Sequence, residues 1–172
     1  MKYDTSIVQT RYESPLGPMI VAATARGLAG VWFAGQRHLP DHAGWPHAPG
    51  HPVLVQATQQ LADYLAGVRT TFDLPLDLQG GTPFQQSVWR ALLAIPRGRT
   101  VSYGHLSRDV GRPAAVRAVG AAVGRNPLSV VVPCHRVLGS DGSLTGYAGG
   151  LERKTALLAL EGALIADAHQ SR

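Results

Sequence analysis

Gly80-Gly81-Thr82-Pro83-Phe84-Gln85 is where this chain changes from an extended to a helical pattern. Thr82 can cap a helix, Pro83 suits its first position, and Gln85 completes a capping box. A helix therefore opens here, with Phe84, Val88, Leu92 and Ile95 on its apolar face, and Pro96-Arg97-Gly98 ends it. Working back from this point, residues 7–12, 19–23 and 30–33 read as strands of a meander. Turns are expected at Ser14-Pro15-Leu16-Gly17 and at Arg26-Gly27, where Pro presets φ and Gly permits positive φ. Residues 34–52 are rich in Gly, Pro and His and read as a loop. Residues 53–66 read as a helix, with Pro52 at its start, Gly67 past its end, and Leu54, Ala57, Leu61 and Leu65 on one face. Phe72, Leu74, Leu76 and Leu78 alternate with polar residues or Pro, as in a half-buried strand. The expected fold class is α+β. A small N-terminal β-meander lobe with a helix spans residues 1–80, and a mostly helical C-terminal domain containing a helix-turn-helix spans 81–172.

The helix-turn-helix expectation comes from residues 102–123. A short helix with Leu106 and Val110 on one face is broken by Gly111-Arg112-Pro113, and a second helix is expected over residues 113–123. That second helix is nearly all Ala, Val and Gly, with Arg117 its one long cationic side chain. Helices that read bases in the major groove display Asn, Gln, Arg or Lys. A smooth helix with one arginine suits close packing on a narrow groove, with one residue able to enter the base stack. Two ordinary packed helices account for the same pattern. The charge distribution bears on the choice. Residues 1–82 carry five Lys or Arg and six Asp or Glu, whereas residues 83–172 carry eleven and five. Fourteen of the sixteen basic residues are arginine, whose planar fork suits phosphate. The basic half fits a polyanion partner or a solvated basic face equally well.

Cys134 is the only cysteine in 172 residues, which excludes an internal disulfide and any cysteine-rich zinc site. It is either a small packed hydrophobe or a reactive thiol. Val130-Val131-Val132 reads as a buried strand running into Pro133-Cys134-His135-Arg136, which would present the thiol at a rigid strand end. A free thiol titrates near 8.5, so reaction at neutral pH needs a base or a positive field. His135 and Arg136 follow at once. Side chains next to each other on an extended chain point apart, so His135 would reach Cys134 across a turn or through a water. No apolar run approaches the roughly 18 to 20 residues of a membrane span, and Met1-Lys2-Tyr3-Asp4 opens no signal peptide. The expectation is a soluble, cytoplasmic protein. His38, His42, His47 and His51 form a loose cluster whose imidazoles could in principle take zinc, but the Pro/Gly setting favours a plain polar loop.

Pro133-Cys134-His135-Arg136-Val137 resembles the active-site signature of the 6-O-alkylguanine-DNA alkyltransferases. The resemblance extends in order over residues 81–162. Gly81 to Gln86 with Val88-Trp89 resemble the helix that opens the family's C-terminal domain. Val101-Ser102-Tyr103-Gly104 resembles the start of its helix-turn-helix, and Arg117-Ala118-Val119-Gly120 its recognition helix. Asn126-Pro127 precedes the cysteine at the family's spacing, Gly146-Tyr147 with Gly149-Gly150-Leu151 resembles its substrate loop, and Glu161-Gly162 closes its last helix. The N-terminal lobe is similar only in outline.

The resemblance implies a protein that moves a methyl or other alkyl group from the 6-oxygen of guanine, and from the 4-oxygen of thymine, onto its own Cys134. It implies one turnover, no cofactor and no metal, and as partner double-stranded DNA carrying alkylated guanine, bound by a monomer with no membrane involved. Cys134 would accept the alkyl group, with His135 as base through a water, oriented by Glu161. Asn126 would brace the turn before the active site, and Tyr103 would donate a proton to the leaving guanine. Arg117 would replace the flipped base in the stack, with Ala118, Ser102 and Arg136 also on DNA. Tyr147, Ala148, Gly149 and Gly150 would line the base pocket. Some members carry zinc-binding cysteines in the N-terminal lobe, which are absent here. Some carry a serine where this chain has Ala148, so one hydrogen bond to the base is missing. A non-catalytic alkyltransferase-like protein that binds the lesion would lack the cysteine. A helix-turn-helix regulator and a cysteine hydrolase are the remaining alternatives. The bland second helix counts against the first, and the lack of an evident oxyanion hole against the other.

Overall fold

The computed structural model describes residues 2–163 and is an α+β fold. It divides into two compact units. One runs to Thr82 and includes Pro127–Val131; the other comprises Pro83–Asn126 and the chain from Val132 onward.

The first unit is built on three strands, β1 (Val8–Ser14), β2 (Gly17–Thr24) and β3 (Gly27–Phe33), in an antiparallel meander of order β1-β2-β3. Helix α1 (Pro52–Leu65) packs across the strands. His51 caps α1 through Nδ1, which accepts from Val53 N, and Pro52 sits in the first turn, as the sequence predicts. Both faces of β2 are buried. Ile20 and Ala22 join Ile7, Ala29 and Trp32 in a cluster covered by Tyr3, Leu39 and Trp45, while Met19 and Val21 on the alternate positions are wholly enclosed. Gly30 is required by this packing, because a methyl group there would occupy the space of the Trp32 ring. The loop between β3 and α1 is pinned to β1. Buried Gln9 donates to the carbonyls of His42 (2.7 Å) and Trp45 (2.9 Å), and its Oε1 lies 2.8 Å from His42 Nδ1.

Two expected strands are not regular strands. Residues 71–76 alternate in exposure as expected, but the segment joins the sheet only through a bridge between Leu76 and Leu28. Pro75 offers a carbonyl to Leu28 N (2.8 Å) and no N–H, so the ladder cannot lengthen. Val130-Val131-Val132 is buried but turns. Leu128 bridges Val31 at the edge of β3, and Val130 then takes φ 72°, a conformation that ends pairing. The apolar run reports burial correctly; the same composition cannot distinguish a strand from a buried bend.

The second unit contains α2 (Pro83–Leu93), β4 (Val101–Ser102), α3 (Tyr103–Asp109), α4 (Val116–Gly124), a 3-10 turn (Cys134–Arg136), β5 (Val137–Leu138) and α5 (Leu151–Leu160). α2, α3 and α4 pack on one another, and the Trp89 indole of α2 donates to Ala122 O of α4 at 2.8 Å. Ser102 Oγ caps α3 by accepting from His105 N. α4 starts three residues later than the sequence pattern implies, since Pro113 and Ala114 form a turn and Ala115 is the N-cap. β4 and β5 pair in parallel and set the 3-10 turn beside the start of α3. Among the described residues no helix is long and apolar enough to cross a membrane.

Candidate active site

The turn that carries the thiol is held by backbone geometry. Pro133 has φ −82° and ψ 62°, an inverse γ-turn that closes Cys134 N onto Val132 O at 2.8 Å. Arg136 N then bonds Pro133 O at 3.0 Å, making Cys134–Arg136 one 3-10 turn. Cys134 is therefore the first residue of a buried turn, not the last of a strand as the sequence suggests. Buried Asn126 braces this turn, its amide donating to Val132 O at 2.8 Å and its side chain bonding the Cys134 sulfur. Burial pushes the thiol pKa up, opposed by the Asn126 bond and the charge of Lys154. The resting group is a thiol that needs a base.

His135 and Glu161 are in contact. His135 Nε2 lies 2.8 Å from Glu161 Oε2, and neither side chain has any exposure. Burial holds the imidazole below its ordinary pKa, against the upward pull of Glu161. If Nε2–H is directed at the carboxylate, Nδ1 carries the lone pair; Nδ1 is a buried atom with no hydrogen-bond partner among the described residues. Arg136, expected on DNA, is instead inside the protein. Its Nε donates to Glu161 Oε1 (2.9 Å), Nη2 to Oε2 (3.0 Å) and Nη1 to Ile95 O (2.6 Å). A buried carboxylate requires a countercharge, and this demand draws the guanidinium inward.

Tyr103 opens α3, and burial raises its phenol pKa, with a bond from Thr145 opposing and the charge of Cys134 adding to the rise. In the loop between β5 and α5, Tyr147 and Ala148 are half-buried, Gly149 is buried, and Gly150 takes φ 92° as the N-cap of α5. Arg117 and Ala118 are exposed near the start of α4, alongside exposed Val116 and Ala121. Ser102 is spent on capping α3.

Sequence reasoning missed Lys154. It is fully buried on α5 and donates from Nζ to Val137 O (2.7 Å), Thr145 O (2.7 Å) and Gly146 O (3.4 Å), tying the loop to β5. Burial lowers its pKa to about 8. The signal was present: Lys154, Leu157 and Leu158 share one helical face, and only two lysines occur in the chain. In the first unit, His42 and His51 already spend a ring nitrogen on Gln9 and on Val53 N. Among the described residues no group of three or more His, Cys, Asp or Glu could hold a metal ion.

Residues 83–163 match the DNA binding domain of 6-O-methylguanine DNA methyltransferase, and residues 7–78 match its ribonuclease-like domain. The chain belongs to the 6-O-methylguanine DNA methyltransferase family. Among relatives in this family, the methylated-DNA–protein-cysteine methyltransferase of Mycobacterium bovis is 48% identical over 149 residues, 87% of this chain and 88% of that protein. The protein of the same name from Methanosarcina acetivorans is 45% identical over 152 residues, 88% and 96% of the two chains. The crystal structure of Mycobacterium tuberculosis O6-methylguanine methyltransferase superposes with a TM-score of 0.82 at 46% identity, covering 91% of this chain and 93% of that one. The Mycobacterium tuberculosis protein crystallised in complex with DNA gives 0.81 at 45% identity, covering 91% and 92%.

Proposed function

We propose that this chain is a DNA-repair protein that transfers a methyl or other alkyl group from the 6-oxygen of guanine, and from the 4-oxygen of thymine, to its own Cys134, once per molecule. The observation that carries the reading is the buried pair His135–Glu161 at 2.8 Å, which leaves as a proton acceptor the Nδ1 of the residue that follows the chain's one cysteine in sequence. In the reaction, the thiol proton passes through a water to His135 Nδ1 and the sulfur attacks the alkyl carbon. The carbon–oxygen bond breaks, its electron pair goes to the guanine, and the Tyr103 phenol, kept protonated by its raised pKa, supplies a proton. The thioether has no bond that water cleaves, and no second cysteine exists to remove the group.

Two parts share the work: an N-terminal lobe, residues 1–80, and a DNA-binding and alkyl-acceptor domain, residues 81–172. The protein acts as a cytoplasmic monomer on double-stranded DNA. The target base leaves the duplex, since its 6-oxygen is out of reach within the stack, and rests against Tyr147, Ala148, Gly149 and Gly150. Exposed Arg117, on a helix face otherwise of small and apolar residues, fills the space it leaves, with Ala118 packed against the groove. The non-catalytic lesion-binding alternative is disfavoured by Cys134 itself and by the close relatives named as methyltransferases. The test is Cys134→Ala. Transfer of labelled methyl from duplex DNA should vanish while DNA affinity persists; transfer that survives the substitution would refute the reading.

A further inference from the structure

Glu161 is a carboxylate with no exposed side-chain surface, and two groups that can carry positive charge touch it. A buried anion left unbalanced is costly enough that it captures a proton or a cation. His135 could supply the charge by protonating, but it would then lose the Nδ1 lone pair. Arg136 supplies it without that loss: its guanidinium is always charged, and its fork covers both Glu161 oxygens at 2.9 and 3.0 Å. We infer that Arg136 is a positioning residue that balances Glu161 and so keeps His135 neutral, in the Nε2–H form, with Nδ1 open to the proton of Cys134. This rests on the reading of His135 as the base.

The groups facing His135 are few. Glu161 stands at the end of α5 and pulls toward the charged form. Arg136, in the same turn, and Lys154, on α5, push toward the neutral form. Arg97, between α2 and β4, reaches Leu160 O at 3.0 Å. Arg136 bonds the same carboxylate that His135 bonds. Its third bond, to Ile95 O at 2.6 Å, fixes the fork in place. Removing the guanidinium leaves Glu161 to draw more positive charge from His135, which bonds it at 2.8 Å, and the imidazole pKa should rise.

The experiment is nitrogen NMR of the His135 ring across pH, beside single-turnover alkyl transfer to Cys134, in the wild type, Arg136→Met and Arg136→Lys. Wild-type His135 should be the neutral Nε2–H tautomer at pH 7. In R136M its titration should move above neutral pH, far enough that transfer at pH 7 falls roughly tenfold and recovers as pH rises toward 9. R136K, which keeps the charge, should lie between. A wild-type His135 that is imidazolium or Nδ1–H at pH 7 overturns the inference without any variant. So does an R136M loss that is equal at every pH. Absence of alkyl transfer in the wild type would defeat the proposed function instead, and the ring spectra would still decide the role of Arg136.

Discussion

His42 and His135 each hold one ring nitrogen 2.8 Å from a side-chain oxygen, yet the regions around them use that bond differently. His42 lies half-buried in a loop, its partner is the neutral amide of Gln9, and the same amide grips two loop carbonyls. The bond there fixes a loop. His135 is enclosed, its partner is a carboxylate already paired with Arg136, and its other nitrogen has no partner among the described residues. The histidine of the loop cluster thus serves a loop contact, whereas the one sealed against an ion pair is the candidate for chemistry.

The largest effect should come from exchanging the imidazoles for amides. His135→Asn should slow transfer to Cys134 by roughly 10²–10⁴-fold, the usual contribution of a general base, while His42→Asn should leave it within about twofold. Single-turnover rates on the same methylated duplex decide it, and equal losses would erase the distinction between the regions.

A second contrast separates the buried chemistry from the exposed α4. Arg117→Ala should slow repair of duplex DNA, by about tenfold for each ~1.4 kcal/mol of lost stacking compensation. Reaction with free benzylguanine, which needs no flipping, should be nearly unchanged. Equal loss on both substrates would refute the plug role. A duplex defect that disappears at low salt would reduce Arg117 to a phosphate contact.

The smallest effect on activity should come from the loop clamp. Gln9→Leu strands the carbonyls of His42 and Trp45 and should cost about 1–3 kcal/mol of stability, seen as a lower melting temperature. Transfer rate at low temperature should stay at the wild-type value. A large loss of rate would mean that the loop around His42 reaches into the chemistry.

Much of the fold was legible because local signals agreed. Pro52 and Gly67 bound α1, and Pro83 opens α2. The apolar run of residues 19–23 reads as a strand and falls within β2, where all five residues are buried. The failures share a cause. Val130-Val131-Val132 and residues 71–78 carry strand composition, but Val130 at positive φ and Pro75 without an N–H stop the ladders, and apolar composition encodes neither. At the site, Asn126 bonds the turn that carries Cys134, and His135 bonds Glu161. Arg136 was misplaced because the chemistry that suits phosphate equally suits a buried carboxylate, and only the fold chooses between them. Lys154 was passed over because a lone lysine in a helix reads as surface until the side it shares with Leu157 and Leu158 is seen to be interior.

The most direct test of the central claim is the intact mass of the protein after incubation with excess duplex DNA containing 6-O-methylguanine, followed by peptide mapping. The account predicts a gain of one methyl group per molecule, on the peptide containing Cys134, that does not increase with further DNA or decay with time. An unchanged mass, a methyl group on another residue, or continued turnover with the protein unmodified would contradict it.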